Sequence, residues 1–195
     1  MHVDLHHDEH PTIYLDMDGV LADFEAGTTK FLHRPWDSFK TEAEKKQRNK
    51  AAFDSGKQFW LGLPPMRDFL ALYNYVRPFH PHILTAVPSG TGPTHVEIPT
   101  EERRRFAEEG KWAWIKTYLP DIPREHFHAV LRSHKQNYAT KVVGKKVISN
   151  ILIDDTMSNV IEFHRNRGTA IQHKTAADTI AQLKKLGIHN PAFPA

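Results

Sequence analysis

The chain is predicted to fold as an α/β domain in which helices cover both faces of a parallel β-sheet. Three observations predict it. Short apolar runs, each stopping at polar or turn residues, alternate with stretches whose apolar residues recur at helical spacing. The 195 residues suffice for one domain with a sizeable core. No apolar run approaches the length of about 18 residues that a membrane span needs. Alternating strands and helices favour a parallel sheet because right-handed crossovers return each strand beside the last.

Residues 1–11 read as a flexible polar leader, since chain ends are usually poorly ordered. The histidines His2, His6, His7 and His10 also allow a metal-binding tract there. From Thr12 the pattern changes to Ile13-Tyr14-Leu15, a buried strand that stops at the polar loop Asp16-Met17-Asp18-Gly19. Further strands are expected at His82 to Thr85, His128 to Leu131, Ile151 to Ile153 and Thr169 to Ile171. Between them, Phe69, Leu72, Tyr73 and Val76, and again Met157, Val160, Ile161 and His164, each form a helical stripe. Thr175 with Asp178 resembles a capping box, and Gly187 marks the end of that last helix.

Two stretches interrupt the alternation. Residues 22–63 read as a small helical insertion, charged from Glu42 to Lys50 and aromatic at Phe59-Trp60, which leaves 12–21 and 64–190 as the α/β core. Residues 88–99, rich in Pro, Gly and Thr, read as a long loop, and such loops in compact domains are usually functional or mobile.

Composition narrows the chemistry. Cysteine is absent, which excludes disulfides, thiolate metal sites and cysteine nucleophiles, so any metal must bind through oxygen or imidazole. The polar start carries no apolar signal core, and a cytoplasmic location is expected. A formal charge of +3 suits an anionic partner but is too small to demand nucleic acid.

Asp16 and Asp18 place two carboxylates at a strand end, and Gly19 permits the sharp turn after them. A calcium loop of the EF-hand type is excluded, because its twelfth position would be Gly27 instead of glutamate. Asp154-Asp155 follow Ile151-Leu152-Ile153 and end a second strand in the same way, with Asp155-Thr156 also able to cap the next helix. In a parallel sheet both acidic pairs face one edge, and their pooled charge is unfavourable unless a metal cation or a lysine neutralises it. Magnesium suits such oxygen-only ligands.

The run Ile13-Tyr14-Leu15-Asp16-Met17-Asp18-Gly19-Val20-Leu21-Ala22-Asp23-Phe24 resembles the first motif of the haloacid dehalogenase superfamily, and more narrowly that of the 5'(3')-deoxyribonucleotidases. Ile83-Leu84-Thr85 is similar to the second motif, Lys135 within Ser133-His134-Lys135-Gln136-Asn137-Tyr138-Ala139 to the third, and Ile151-Leu152-Ile153-Asp154-Asp155 to the fourth. The resemblance implies a Rossmann-like sheet with a small helical cap after the first strand. It implies a magnesium-dependent phosphatase in which Asp16 is the nucleophile and Asp18 the general acid and base. Asp16, Asp18 through its backbone carbonyl, Asp154 and Asp155 would hold magnesium, and Thr85, Ala86 and Lys135 would bind phosphate. Lys141, Lys145 and Lys146 are rivals for the third-motif lysine, but Lys135 directly follows a strand, as the family pattern requires.

The implied substrate is a (deoxy)nucleoside monophosphate, its base held by aromatic residues of the cap, with Phe24, Phe59 and Trp60 as candidates. The competing reading packs those rings into the core. The chain departs from the family at Ala86-Val87-Pro88, where a serine is usual, so base preference and the choice of 5' or 3' phosphate stay open. Arg103-Arg104-Arg105 and Lys111-Trp112-Ala113-Trp114 suggest a polynucleotide end phosphatase as an alternative, although their spacing also fits a plain half-buried helix. A non-catalytic nucleotide-binding module is a third reading, and the resemblance allows a homodimer.

Overall fold

The computed structural model describes residues 9–89 and 99–193. His2, His6 and His7 and most of the expected loop at 88–99 lie outside the described residues. In chain order the strands are β1 (Ile13–Leu15), β2 (His82–Val87), β3 (Phe127–Leu131), β4 (Thr140–Val143), β5 (Lys146–Ser149), β6 (Ile151–Asp154) and β7 (Thr169–Gln172). The helices are α1 (Phe24–Leu32), α2 (Glu42–Asp54), α3 (Lys57–Leu61), α4 (Phe69–Val76), α5 (Thr100–Tyr118), α6 (Met157–Arg165) and α7 (Ala176–Lys185).

Five strands form one sheet in the order β3-β2-β1-β6-β7, and every neighbouring pair is parallel. The fold is therefore the expected Rossmann-like α/β class. Its faces follow the two-residue period of a strand. Ile13, Leu15, Ile83, Ile151, Ile153 and Ile171 enter one apolar cluster with Leu72 of α4, Trp114 of α5 and Leu183 of α7. Tyr14, Leu84 and Leu152 face the other side with Phe163 of α6. All the expected strands are present, and β2 extends to Val87 because β3 supplies partners there, Ala86 opposite Val130 and Val87 opposite Leu131.

The antiparallel hairpin of β4 and β5 was not among the expected strands. Its signal is the turn Gly144-Lys145 between Val142-Val143 and Val147-Ile148, which interspersed lysines disguise. The capping reading at Thr175 is half realised. Thr175 Oγ1 accepts the Asp178 N–H at 3.1 Å, but the Asp178 carboxylate takes the Thr175 hydroxyl at 2.8 Å and does not return to the backbone. A complete capping box forms at α2, where the longer Glu44 side chain reaches back to Thr41. The α7 terminus closes as expected, with Ile188 N donating to Leu183 O and Gly187 N to Lys184 O.

Helices α1 to α3 lie between β1 and α4 in the chain, and Ala52, Phe59, Trp60 and Leu63 join the same apolar cluster as the sheet. Close approach of α3 to α5 depends on Gly110, where an added Cβ would come within 2.5 Å of the Lys57 carbonyl and 2.6 Å of Trp60 Cβ. No helix among the described residues is long and apolar enough to cross a membrane.

Candidate active site

Parallel register brings the acidic strand ends together. Leu15 pairs with Ile153, and Asp16 N donates to the Ile153 carbonyl at 2.9 Å, so Asp16 lies one step past β1, beside Asp154 at the end of β6. Lys135 stands in the 3-10 helix Arg132–Tyr138 that directly follows β3. Its ammonium bridges the two carboxylates, at 2.8 Å from Asp16 Oδ2 and 2.7 Å from Asp154 Oδ2. Asp154 is fully buried and is further held by Asn159 Nδ2 at 3.0 and 2.9 Å and by the Thr156 N–H at 2.9 Å. Thr156 occupies the N-cap position of α6 but makes no side-chain cap bond, and its hydroxyl donates to Asp155 Oδ1 at 3.1 Å.

One ligand oxygen each from Asp16, Asp154 and Asp155 lies within 4.8 Å of the others. Gly19 makes room for this group: its φ is +76°, and a Cβ there would sit 2.5 Å from Asp155 Oδ2. The electrostatics record the crowding. Burial pushes the Asp16 carboxyl up to about 8 against the pull of Lys135, with Asp154 and Asp18 adding to the rise. Burial and the neighbouring Asp154 also raise Asp155. Lys135 is pulled down by burial, but Asp16 and Asp154 outweigh this and hold it above its ordinary value. Three carboxylates thus share one ammonium, an imbalance that a divalent cation with oxygen ligands would neutralise.

The Asp18 side chain turns away from that group. Its Oδ2 receives the Lys111 ammonium at 2.6 Å, and the same nitrogen donates to Thr85 Oγ1 and to the Ala86 carbonyl, both at 2.8 Å. Sequence reading weighed a nucleic-acid or phosphate contact for this stretch against a half-buried helix; α5 is that half-buried helix, but the pairing of Lys111 with Asp18 was not expected. The signal that locates it is its place on the apolar stripe of α5, with Arg103, Ala107, Trp114 and Ile115 also buried. A lysine on such a stripe requires anionic or carbonyl partners.

A cavity of about 520 Å³ opens over these residues. Asp16, Asp18, Asp155 and Lys135 form its floor, with Ala86, Arg132 and Asn159 at the edge, and Phe24, Trp36, Arg48, Asn49 and Phe53 its roof. Of the aromatic candidates, Phe24 lines it. Phe59 and Trp60, at 7% and 1% exposure, pack into the core and do not line the cavity, because α3 is pressed against α5. Trp36, Arg48 and Phe53 are roof residues that sequence reading does not single out. Arg48 is buried, with its guanidinium 3.2 Å from the Trp36 ring centroid and its Nε donating to Asn49 Oδ1 at 3.1 Å.

The remaining candidates fall elsewhere. Lys141 donates to Thr12 Oγ1 at 3.1 Å and Lys146 to Glu9 at 3.1 Å, both away from the cavity. The arginine triplet is occupied by carboxylates: Arg103 pairs with Asp54 at 2.6 Å, Arg104 with Glu101 and Arg105 with Glu102. A larger cavity of about 810 Å³ lies between α5 and the end of β3, beside Arg104, Arg105, Glu108 and His134, away from the acidic group.

No family model and no curated protein sequence matches the chain. Among solved structures the chain is similar to the crystal structure of a hydrolase from Streptococcus pneumoniae TIGR4. The identity is 9%, over 90% of this chain and 99% of that chain, with a TM-score of 0.45.

Proposed function

We propose that the chain is a magnesium-dependent phosphomonoester hydrolase of the haloacid dehalogenase type, acting on (deoxy)nucleoside monophosphates through an aspartyl-phosphate at Asp16. The observation that carries this reading is the meeting of Asp16, Asp154, Asp155 and Lys135 at adjoining ends of parallel strands, with Asp16, Asp155 and Lys135 on the floor of one cavity and Asp154 buried beneath it. Ligands of such sheets bind beyond the carboxyl ends of the strands.

The donor set fits the metal: oxygens only, with a charge imbalance that one divalent ion would cancel. Asp16, Asp154 and Asp155, with the Asp18 backbone carbonyl, would hold magnesium, which when bound supplies neutralising charge to the phosphoryl oxygens. The protein groups then divide the work. An Asp16 oxygen attacks phosphorus while the bond from phosphorus to the leaving oxygen breaks, and Asp18 gives that oxygen its proton. Water next attacks phosphorus and leaves its proton on Asp18, the bond to Asp16 breaks, and phosphate departs. Lys135 and the Thr85 hydroxyl bind phosphoryl oxygens, with Ala86 at the cavity edge.

The roof supports a nucleoside as leaving group. Phe24, Trp36 and Phe53 line the cavity with aromatic rings, and base stacking on an aromatic ring is worth about 1–3 kcal/mol per base. Arg48 and the Asn49 amide add hydrogen-bond donors, since arginine has no acceptor and so must face the amide oxygen, leaving Asn49 Nδ2 available. The polynucleotide alternative loses support, because the arginines that suggested it hold carboxylates.

The test is phosphate release from nucleoside monophosphates, sugar phosphates and 3'-phosphorylated oligonucleotides, each with magnesium and with chelator. Magnesium-dependent turnover greatest on a nucleoside monophosphate is expected. Absence of release from every nucleotide would refute the proposal, and preference for the oligonucleotide would favour the alternative.

A further inference from the structure

We infer that Lys111 is a positioning residue for this reaction, aiming the Asp18 carboxyl at the leaving oxygen and turning the Thr85 hydroxyl into an obligate donor. The inference rests on the phosphatase reading above and assigns work to a residue outside the four motifs.

An ammonium has three N–H donors and no acceptor. Lys111 uses all three, on Asp18 Oδ2 at 2.6 Å, Thr85 Oγ1 at 2.8 Å and the Ala86 carbonyl at 2.8 Å. Its side chain is 0% exposed, so water does not compete for those bonds. The Trp60 ring, with its centroid 4.7 Å from Nζ, walls the ammonium in and favours its charge. Trp60 therefore bears on the chemistry through Lys111, although it does not line the cavity.

Each acceptor is left with one defined capability. Asp18 Oδ2 is committed to Lys111, while Asp18 Oδ1 is buried and has no protein partner among the described residues. Asp18 lines the cavity, and Oδ1, although buried, is the oxygen that Lys111 does not take; in the proposed reaction it passes a proton to the leaving group and takes one back from water. Thr85 Oγ1 already accepts from Lys111, and among the described residues no acceptor takes its hydrogen. Thr85 is itself fully buried and does not line the cavity, which Ala86 beside it does; in the proposed reaction that hydrogen goes to a phosphoryl oxygen. A buried polar atom without a protein partner is costly, so water or a ligand must complete it.

A merely structural Lys111 and a positioning one differ in leaving-group dependence. An alkyl phosphate needs its leaving oxygen protonated, whereas p-nitrophenyl phosphate releases a stable phenolate that does not. Lys111→Met should lower kcat on an alkyl monophosphate by about 100-fold, the usual scale of general-acid help, and on p-nitrophenyl phosphate by less than about 10-fold. Asp18→Asn should show the same selectivity, and adding Lys111→Met to it should change the substrate ratio no further. Lys111→Arg keeps the charge but presents a planar fork that cannot place one nitrogen on three acceptors. It should show the same selective loss, and it carries the comparison if the methionine variant does not fold. Equal losses on both substrates, with Asp18→Asn remaining selective, would overturn the inference and leave the phosphatase reading intact. A wild-type protein inactive on both would remove that reading and this inference together.

Discussion

The floor of the cavity, with the groups that support it, differs from the roof. Of the floor residues Asp16 and Lys135 are buried, Asp18 is half-buried and Asp155 is exposed. Beneath them Thr85, Lys111 and Asp154 are fully buried, with ion pairs that close at 2.6 to 2.8 Å. In the roof Trp36, Asn49 and Phe53 are only half-buried, and Arg48 rests on an indole face with no carboxylate of the described residues within ion-pair distance. Groups that stabilise developing charge work best when fixed before the substrate arrives. Groups that recognise a leaving group need open donors and ring faces. On the proposed function, the difference teaches that chemistry and selectivity belong to separate parts of the chain, the first to strand ends and the second to α1, α2 and the segment between them.

The comparison breaks most visibly on the floor. Asp16→Asn should remove the nucleophile and lower kcat by about 10⁴-fold or more, the scale of losing a nucleophile elsewhere, with circular dichroism unchanged. Retained turnover would take Asp16 out of that role. Lys135→Met should cost about 10²–10³-fold in kcat. It leaves Asp16 and Asp154 facing each other without a cation, and removing one partner from a buried ion pair costs about 3–5 kcal/mol, so thermal unfolding should fall as well.

Roof changes should act on binding alone. Trp36→Ala and Arg48→Met are expected to raise KM for nucleoside monophosphates by roughly 5- to 150-fold, corresponding to about 1–3 kcal/mol of lost stacking and hydrogen bonding. Their kcat on p-nitrophenyl phosphate should stay within about twofold of wild type, since that leaving group draws little on the roof. Equal damage to both substrates would erase the distinction between the two regions.

The smallest effect is a pH signature of the floor. The folded protein raises the Asp16 carboxyl from 3.8 to about 8, so the metal-free fold is most favoured below pH 3.8 as far as this group is concerned. That contribution is lost as pH rises towards 8. Magnesium should restore what deprotonation removes, and its stabilisation should therefore grow across the same interval. Melting curves with magnesium and with chelator at a series of pH values measure it, and a magnesium shift that shrinks with rising pH would contradict the assignment.

The floor was more legible in the sequence than the roof, for physical reasons. A strand that runs apolar and stops at a carboxylate announces both its burial and the sheet edge, which located Asp16, Asp154 and Asp155. Lys135 was legible because it follows β3 directly. Lys111 was obscured by the neighbouring Trp112 and by lysine's ordinary place at the surface; its position on the α5 stripe is the signal that could have marked it as buried. Arg48 sits in a helix charged from Glu42 to Lys50, where periodicity carries no apolar stripe. Its burial comes from Trp36 and Phe39, which approach from an earlier segment. Phe59-Trp60 is the converse case, an aromatic pair suggestive of ligand that the packing of α3 on α5 claims for the core.

The central claim is that Asp16 carries the phosphoryl group in transit. Acid quenching of the protein during turnover of a nucleoside monophosphate with magnesium, followed by peptide mass analysis, measures this directly. The account predicts a phosphorylated aspartate on the peptide containing Asp16, lost with chelator and in Asp16→Asn. Steady turnover with no phosphorylated carboxylate, or with phosphate on another residue, would contradict it.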